Sequence, residues 1–305
     1  MYGENAFNDL KRVARAALSD QVARFAPSLY VKLTRQTGRG EQEGSAADIA
    51  FYFRECFADY FRTLDVPSRE IEAFLHQKEI LEYGPGDTPG VALLMLAYGA
   101  KSVVCVDEFP LYRLSERSVE VMIHLLHGLE GLHRRRADGC FNEKGNPASG
   151  FRQERLHYLV TSSGLSGIFE GADLICSRSV LEHVRSLPES FVDMRCALRP
   201  KGIAIHKVDL RSHGLHQTNP LDFLTWPANL WKLMYQNKGF INRWRIDRYR
   251  EILRETPLAV ISLTPTTIAA AKDVADVRPY LAAPFDKLSD DDLACLGFWV
   301  ICRRA

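Results

Sequence analysis

The stretch Ile80-Leu81-Glu82-Tyr83-Gly84-Pro85-Gly86-Asp87-Thr88-Pro89-Gly90 sets the fold of this chain, together with Asp107, which closes the next apolar run. Its apolar start predicts a strand, the glycines a sharp turn, and the run from Val91 a helix. Glycine at 84 and 86 lets the backbone adopt positive φ and lets a ligand come closer than any side chain would permit. An acid about 20 positions further on stands where ribose hydroxyls are read in nucleotide-binding βαβ units. The first expectation is a cradle for a nucleotide-type ligand.

Outward from that turn, short apolar runs alternate with longer helical patterns, the sequence form of a mainly parallel sheet covered by helices. Strands are expected at 79–83, 102–106, 155–160, 172–176, 203–209, 258–263 and 296–303, with helices at 89–98, 111–130, 164–169, 180–197 and 246–254. The expected architecture is α/β, a doubly wound seven-stranded sheet, with the last two strands able to pair antiparallel at one edge. Residues 133–152, including Arg134-Arg135-Arg136, read as a polar surface loop. Before the sheet come three helical stretches: 6–35, one from Ser45 or Asp48 that carries Phe51, Phe53, Phe57 and Phe61, and one from Pro67 to about His76. A Gly38–Gly44 link separates the first two. The division expected is a helical extension over 1–78 and a main domain over 79–305 with an inserted cap at about 211–257.

Composition narrows the partners. Lys plus Arg number 39 and Asp plus Glu 38, so a net charge of +1 gives no global field for nucleic acid or an anionic membrane. The longest apolar run, Val91 to Ala97, is far short of the ~20 residues of a membrane span. The seven cysteines form no Cys-x-x-Cys pair and several sit in strand-like runs, which predicts reduced core residues in a cytoplasmic protein. Oligomeric state is open.

Two ligand classes use such a turn. Dinucleotides want Gly-x-Gly-x-x-Gly under the pyrophosphate, and here Pro89 holds the third place. S-adenosylmethionine has no phosphate, and an acid beside its sulfonium and ammonium groups is useful. Glu82-x-Gly84-x-Gly86 resembles the first motif of class I S-adenosylmethionine-dependent methyltransferases. Asp107 matches that family's ribose-binding acid, Ser177-Arg178-Ser179-Val180-Leu181-Glu182-His183-Val184 is similar to its turn after strand four, and Leu198-Arg199-Pro200-Lys201-Gly202 to its hairpin before strand five. The likeness covers roughly residues 79–210. It implies the Rossmann-like methyltransferase fold, S-adenosylmethionine as cofactor, and contacts to it from Glu82, Tyr83, Gly84, Pro85, Gly86, Asp107, Glu108, Ser177 and Arg178. Two departures stand out: Thr88 replaces the third glycine, and Thr161-Ser162-Ser163 replaces the acid after strand three, leaving Ser162 or Ser163 to meet the adenine edge. A nicotinamide oxidoreductase and a non-catalytic scaffold of the same fold are the alternatives.

Methyl transfer is an in-line displacement, so the protein must align the acceptor, exclude water and, for a hydroxyl, take a proton. The segment past Asp209 concentrates ionisable groups. His213 is the expected general base, with Asp209 orienting it or accepting the proton, and His183, His206 and His216 as rivals. His206, Asp209, His213 and His216 contain enough ligands for a metal, but their spacing fits no metal pattern, and no metal is expected. Asn219, Asn229, Asn237, Asn242, Arg243 and Arg245 give the cap a polar side, either a solvated face or a reader of an anionic group. Phe223, Trp226, Trp231 and Tyr235 read as cap core. A small-molecule acceptor methylated at oxygen is the reading overall.

Overall fold

The computed structural model describes residues 6–34, 44–168 and 171–304. In chain order its main elements are α1 (Ala6–Phe25), α2 (Pro27–Thr34), α3 (Ala46–Thr63), α4 (Ile71–Leu75), β1 (Glu79–Tyr83), α5 (Gly90–Ala97), β2 (Ser102–Asp107), α6 (Glu116–His127), α7 (Gly131–Asp138), β3 (Leu156–Val160), β4 (Ala172–Arg178), α8 (Leu187–Ala197), β5 (Leu198–Asp209), α9 (Ala228–Tyr235), α10 (Ile246–Glu255), β6 (Leu258–Ile268), α11 (Ala271–Val277), α12 (Asp290–Ala294) and β7 (Cys295–Arg304). All but Gly44 of the Gly38–Gly44 link lies outside the described residues.

The seven strands form one sheet in the order β3-β2-β1-β4-β5-β7-β6. β1 pairs in parallel with both β2 and β4, and β2 with β3, with Tyr83 opposite Val106 on one side and Ser177 on the other. Chain order reverses between β1 and β4, so the turn at 84–86 leaves the sheet at its switch point, where open α/β sheets bind ligands. All seven expected strands are present, and β7 lies between β5 and β6.

Several helix expectations need correction. No helix covers the described part of 164–169: Gly164 and Gly167 adopt positive φ, and the Asp193 carboxylate takes the backbone N–H groups of Ser166 and Gly167. The helix expected from 111 starts at Glu116, where the Ser115 hydroxyl caps the Ser118 N–H. The one expected from 180 starts at Leu187, because Ser179 has φ 53° and the backbone turns before it can wind. The loop of 133–152 contains α7, in which Arg134 pairs with Asp138 at 2.7 Å and Arg136 with Glu72 at 2.9 Å, so two of the three arginines bind within the protein. The expected turn at 198–202 is taken into β5, Lys201 absorbing the bend at φ 67°. α11 and α12 lie between β6 and β7, where the expected helices include none.

Two compact units divide the chain: residues 35–178, 193–205 and 302–305 form one, and residues 1–34, 179–192 and 206–301 the other. The helices expected as a single extension are shared between them. In the first unit, Ser45 and Asp48 close a capping box at the start of α3, and the Phe53 ring of α3 packs on the start of α5. A Cβ at Gly90 would lie 2.4 Å from that ring, which explains why a glycine stands one step later than a dinucleotide motif would have it. All of α5 is buried, as its uniformly apolar sequence requires.

In the second unit the cap segment folds around Phe223, Trp231, Met234, Val277 and Leu293, all buried, with Val13 and Ala16 of α1 against them. Asp20 of α1 accepts from the backbone N–H and side-chain amide of Asn237. Arg243 and Arg245, read as a polar cap side, are 5 % and 1 % exposed. Arg243 gives its guanidinium to the Phe223 and Trp226 carbonyls, and Arg245 to those of Leu210, Leu293 and Cys295. They are interior tethers that neither face solvent nor await an anion. All seven cysteines are free, and no described helix is long and apolar enough to cross a membrane.

Candidate active site

In the first unit the carboxyl ends of β1 to β4 define a cradle. Gly84 and Gly86 take φ 65° and 75°, a region open to glycine, and the Gly84 N–H is held by the Val106 carbonyl at 2.8 Å. Asp107 stands at the end of β2, partly open to solvent. Its carboxylate accepts from the Tyr158 hydroxyl at 3.0 Å and from the Gly86 N–H. Burial pushes it up to about 8, against those hydrogen bonds and with help from nearby Glu82 and Glu108. Two positive-φ glycines and an accessible acid joined to the turn suit a nucleoside whose sugar offers two hydroxyls.

Glu82 lies deeper than its sequence position implies. It is 7 % exposed, contacts the Cys105 thiol at 3.8 Å and accepts from the Ala92 N–H in the first turn of α5; burial raises it to about 7. It braces turn against helix. Tyr83 is likewise buried, its hydroxyl given to Asp193. That aspartate also takes Ser166 and Gly167, so one carboxylate fixes both β1 and the turn after β3. Ser162 and Ser163 are exposed in that turn and Ser177 is fully buried. Arg178 pairs with Asp59 at 2.9 Å and lies over the Tyr52 ring, which draws it toward α3. Pro85 is buried in the turn and Glu108 half-buried beyond it.

These acids carry a stability signature. A carboxyl whose folded pKa exceeds its unfolded one holds more protons folded than unfolded between the two values, so stability falls as pH rises through that window. Glu82 and Asp107 act this way up to about 7 and 8. Buried His206, lowered to about 3 by desolvation, acts oppositely and only below its ordinary 6.5. The ligand-free protein is therefore expected to lose melting temperature from pH 6.5 to 8, and Asp107→Asn to flatten the slope. A level wild-type profile over that range would contradict the assignment.

In the second unit the residues after β4 and β5 gather imidazoles. His213 stands at φ 49° with Gly214 at φ 78°, a left-handed bend that turns its ring back toward β5. Its Nε2 lies 3.3 Å from the Asp209 carbonyl oxygen and 3.9 Å from Glu182 Oε1. His183 Nε2 lies at the same 3.9 Å from that oxygen, and the two rings meet edge to face at 5.0 Å. The turn bearing Glu182 and His183 is fixed by Asn242, which accepts nothing from them but donates to the Leu181 and Glu182 carbonyls. Burial acts to raise the Asp209 carboxyl, but the hydrogen bonds of Arg211 together with nearby His213 hold it below the usual range. His216 pairs with the Ser212 hydroxyl, and His206 is buried in β5. Of the four residues weighed for a metal, only His213 belongs to this gathering. Sequence reading missed Glu182 as a site residue, although it adjoins His183, and Tyr158, which nothing but strand register reveals.

The sequence matches the methyltransferase domain family over residues 15–263, most of the chain, and the chain belongs to that family. It is an enzyme, a class I S-adenosylmethionine-dependent methyltransferase with the Rossmann-like fold, and S-adenosylmethionine is its cofactor. Comparison with curated proteins gives no match. Among solved structures the fold is similar to an S-adenosylmethionine-dependent methyltransferase from Mesorhizobium loti, at 17 % identity and TM-score 0.43 over 77 % of this chain and 96 % of that one. It is also similar to S-adenosylmethionine-dependent methyltransferases from Methanosarcina mazei, at 13 % and 0.43 over 77 % and 96 %. A third is phosphoethanolamine N-methyltransferase 2 from Haemonchus contortus in complex with S-adenosylmethionine, at 14 % and 0.40 over 75 % and 49 %.

Proposed function

We propose that the enzyme methylates a small-molecule acceptor at oxygen. The cofactor supplies an electrophilic methyl on a sulfonium sulfur. Gly84 and Gly86 let the backbone come close to the nucleoside, Asp107 accepts its ribose hydroxyls, and the exposed turn of Ser162 and Ser163 offers hydroxyls and backbone N–H groups to the adenine edge. Glu82 and Tyr83 support this from below, through α5 and Asp193.

One observation carries the choice of oxygen: His183 and His213 direct ring nitrogens at the same buried carboxylate in the segments that follow β4 and β5. A hydroxyl must lose its proton as it attacks, and a neutral imidazole near the strand ends is suited to take it. His213, in the loop past β5, is assigned as that group, with Asp209 anchoring the loop through its carbonyl and Arg211. A net charge of +1 favours a small neutral or mixed-charge acceptor over nucleic acid. Seven free cysteines, six of them buried, favour a reducing cytoplasm.

A panel of hydroxylated, amine and carboxylate acceptors, offered with methyl-labelled cofactor, tests the reading. Label is expected in hydroxylated small molecules, and His213→Ala is expected to reduce turnover about 100-fold, as loss of a general base does. Labelling confined to amines, or full turnover in the variant, would overturn it.

A further inference from the structure

Glu182 is 1 % exposed, and no hydrogen bond of normal geometry reaches either carboxylate oxygen; the backbone N–H groups of Glu182 and Asp209 act on it, less strongly than burial does. A carboxyl buried in that condition takes a proton unless a positive charge faces it. Arg211 acts on it electrostatically but is committed to Asp209, and the Tyr249 hydroxyl, whose phenol feels the Glu182 charge, is itself buried without a partner. What faces Glu182 is a pair of imidazole nitrogens. One donor atom from each of Glu182, His183 and His213 lies within 4.8 Å of the other two, and both Nε2 atoms stand 3.9 Å from Glu182 Oε1.

We infer that Glu182, His183 and His213 bind one divalent transition cation. Zinc-type ions hold imidazole nitrogen and carboxylate oxygen at about 2.0–2.2 Å, so donor atoms sharing one ion stand about 3 to 3.5 Å apart. Side-chain movements of under about 1 Å reach that geometry. Two imidazoles with one carboxylate suit zinc, iron, cobalt or nickel, whereas calcium and magnesium prefer all-oxygen shells. A ligating imidazole must be neutral, which ties metal uptake to pH. The left-handed backbone at His213 and Gly214 is the kind of constraint that accumulates at functional sites. Three protein ligands leave coordination positions open to water or to an oxygen of another molecule. Metal binding needs no methyl acceptor; a role for those open positions in holding the acceptor oxygen rests on the methyl-transfer reading, and with the ion bound His213 serves as ligand in place of base.

The test is metal uptake by the full chain. Protein stripped with a chelator is titrated with Zn²⁺ and with Co²⁺, following heat and the cobalt absorption spectrum, with S-adenosylhomocysteine binding measured on the same samples. One ion per chain is expected, with a cobalt spectrum free of thiolate charge-transfer bands, and Glu182→Gln and His213→Ala are each expected to weaken uptake at least 10-fold, the size of effect that loss of a ligand-shell group produces. The second variant changes a residue in an exposed loop, and unchanged S-adenosylhomocysteine binding checks that it folds. No uptake, or uptake undiminished in both variants and carrying thiolate bands, would overturn the inference. Retained S-adenosylhomocysteine binding in that event would leave the cofactor reading standing, while its loss alongside intact metal uptake would strike the cofactor site alone.

Discussion

Asp107→Ala is expected to weaken S-adenosylhomocysteine binding by about 10² to 10⁴, because two ribose hydroxyls lose a charged acceptor worth about 1.5–3 kcal/mol each. The carboxylate form is the better acceptor, and Asp107 titrates near 8 in the ligand-free protein. Affinity should therefore rise as pH climbs from 6 to 9 and level off above the pKa. Tyr158 sharpens the test. Its hydroxyl stabilises the ionised carboxylate, so Tyr158→Phe should move the affinity profile to higher pH while leaving its high-pH limit nearly intact. Calorimetric titration at a series of pH values would show both effects. A profile flat in pH, or an alanine variant that binds within about 3-fold of wild type, would remove Asp107 from the ribose.

The largest stability effect is expected at Arg245. Its guanidinium donates to the Leu210 carbonyl at 2.7 Å, to Leu293 at 3.0 Å and to Cys295, tying the end of β5 to the beginning of β7. Burial lowers its pKa to about 10, still well above neutrality. Arg245→Leu keeps apolar volume but strands three buried carbonyl oxygens at about 1–3 kcal/mol each, so a loss of at least about 3 kcal/mol is expected. Arg245→Lys, with a point charge that reaches fewer of the three, should recover part of it. Leu210 follows Asp209 directly, so the loop bearing His213 loosens too, and turnover should drop even at temperatures where the variant stays folded. Urea unfolding measures the first effect and steady-state kinetics the second; a loss below about 1 kcal/mol would show that Arg245 is no tether.

The motif at 82–86, the acid at 107 and all seven strands could be read from the residues because each depends on a local period or on a spacing along the chain. The helix starts went wrong where a cap or a left-handed residue intervened, as at Ser115 and Ser179. Arg243 and Arg245 went wrong for another reason: a charged side chain looks solvated until the carbonyls that receive it are assembled around it.

Fold class and cofactor class were thus legible in the order of residues, since a strand, a glycine turn and a helix are short-range consequences of side-chain size and backbone freedom. The roles of Asp193, Tyr158 and Glu182 were settled by folding. Asp193 serves two segments far from it in sequence, Tyr158 reaches Asp107 only through strand pairing, and Glu182 becomes a buried carboxyl beside two imidazoles only when the turn after β4 closes over it and His213 arrives from beyond β5. Burial and long-range pairing are properties of the packed chain, and no local pattern carries them.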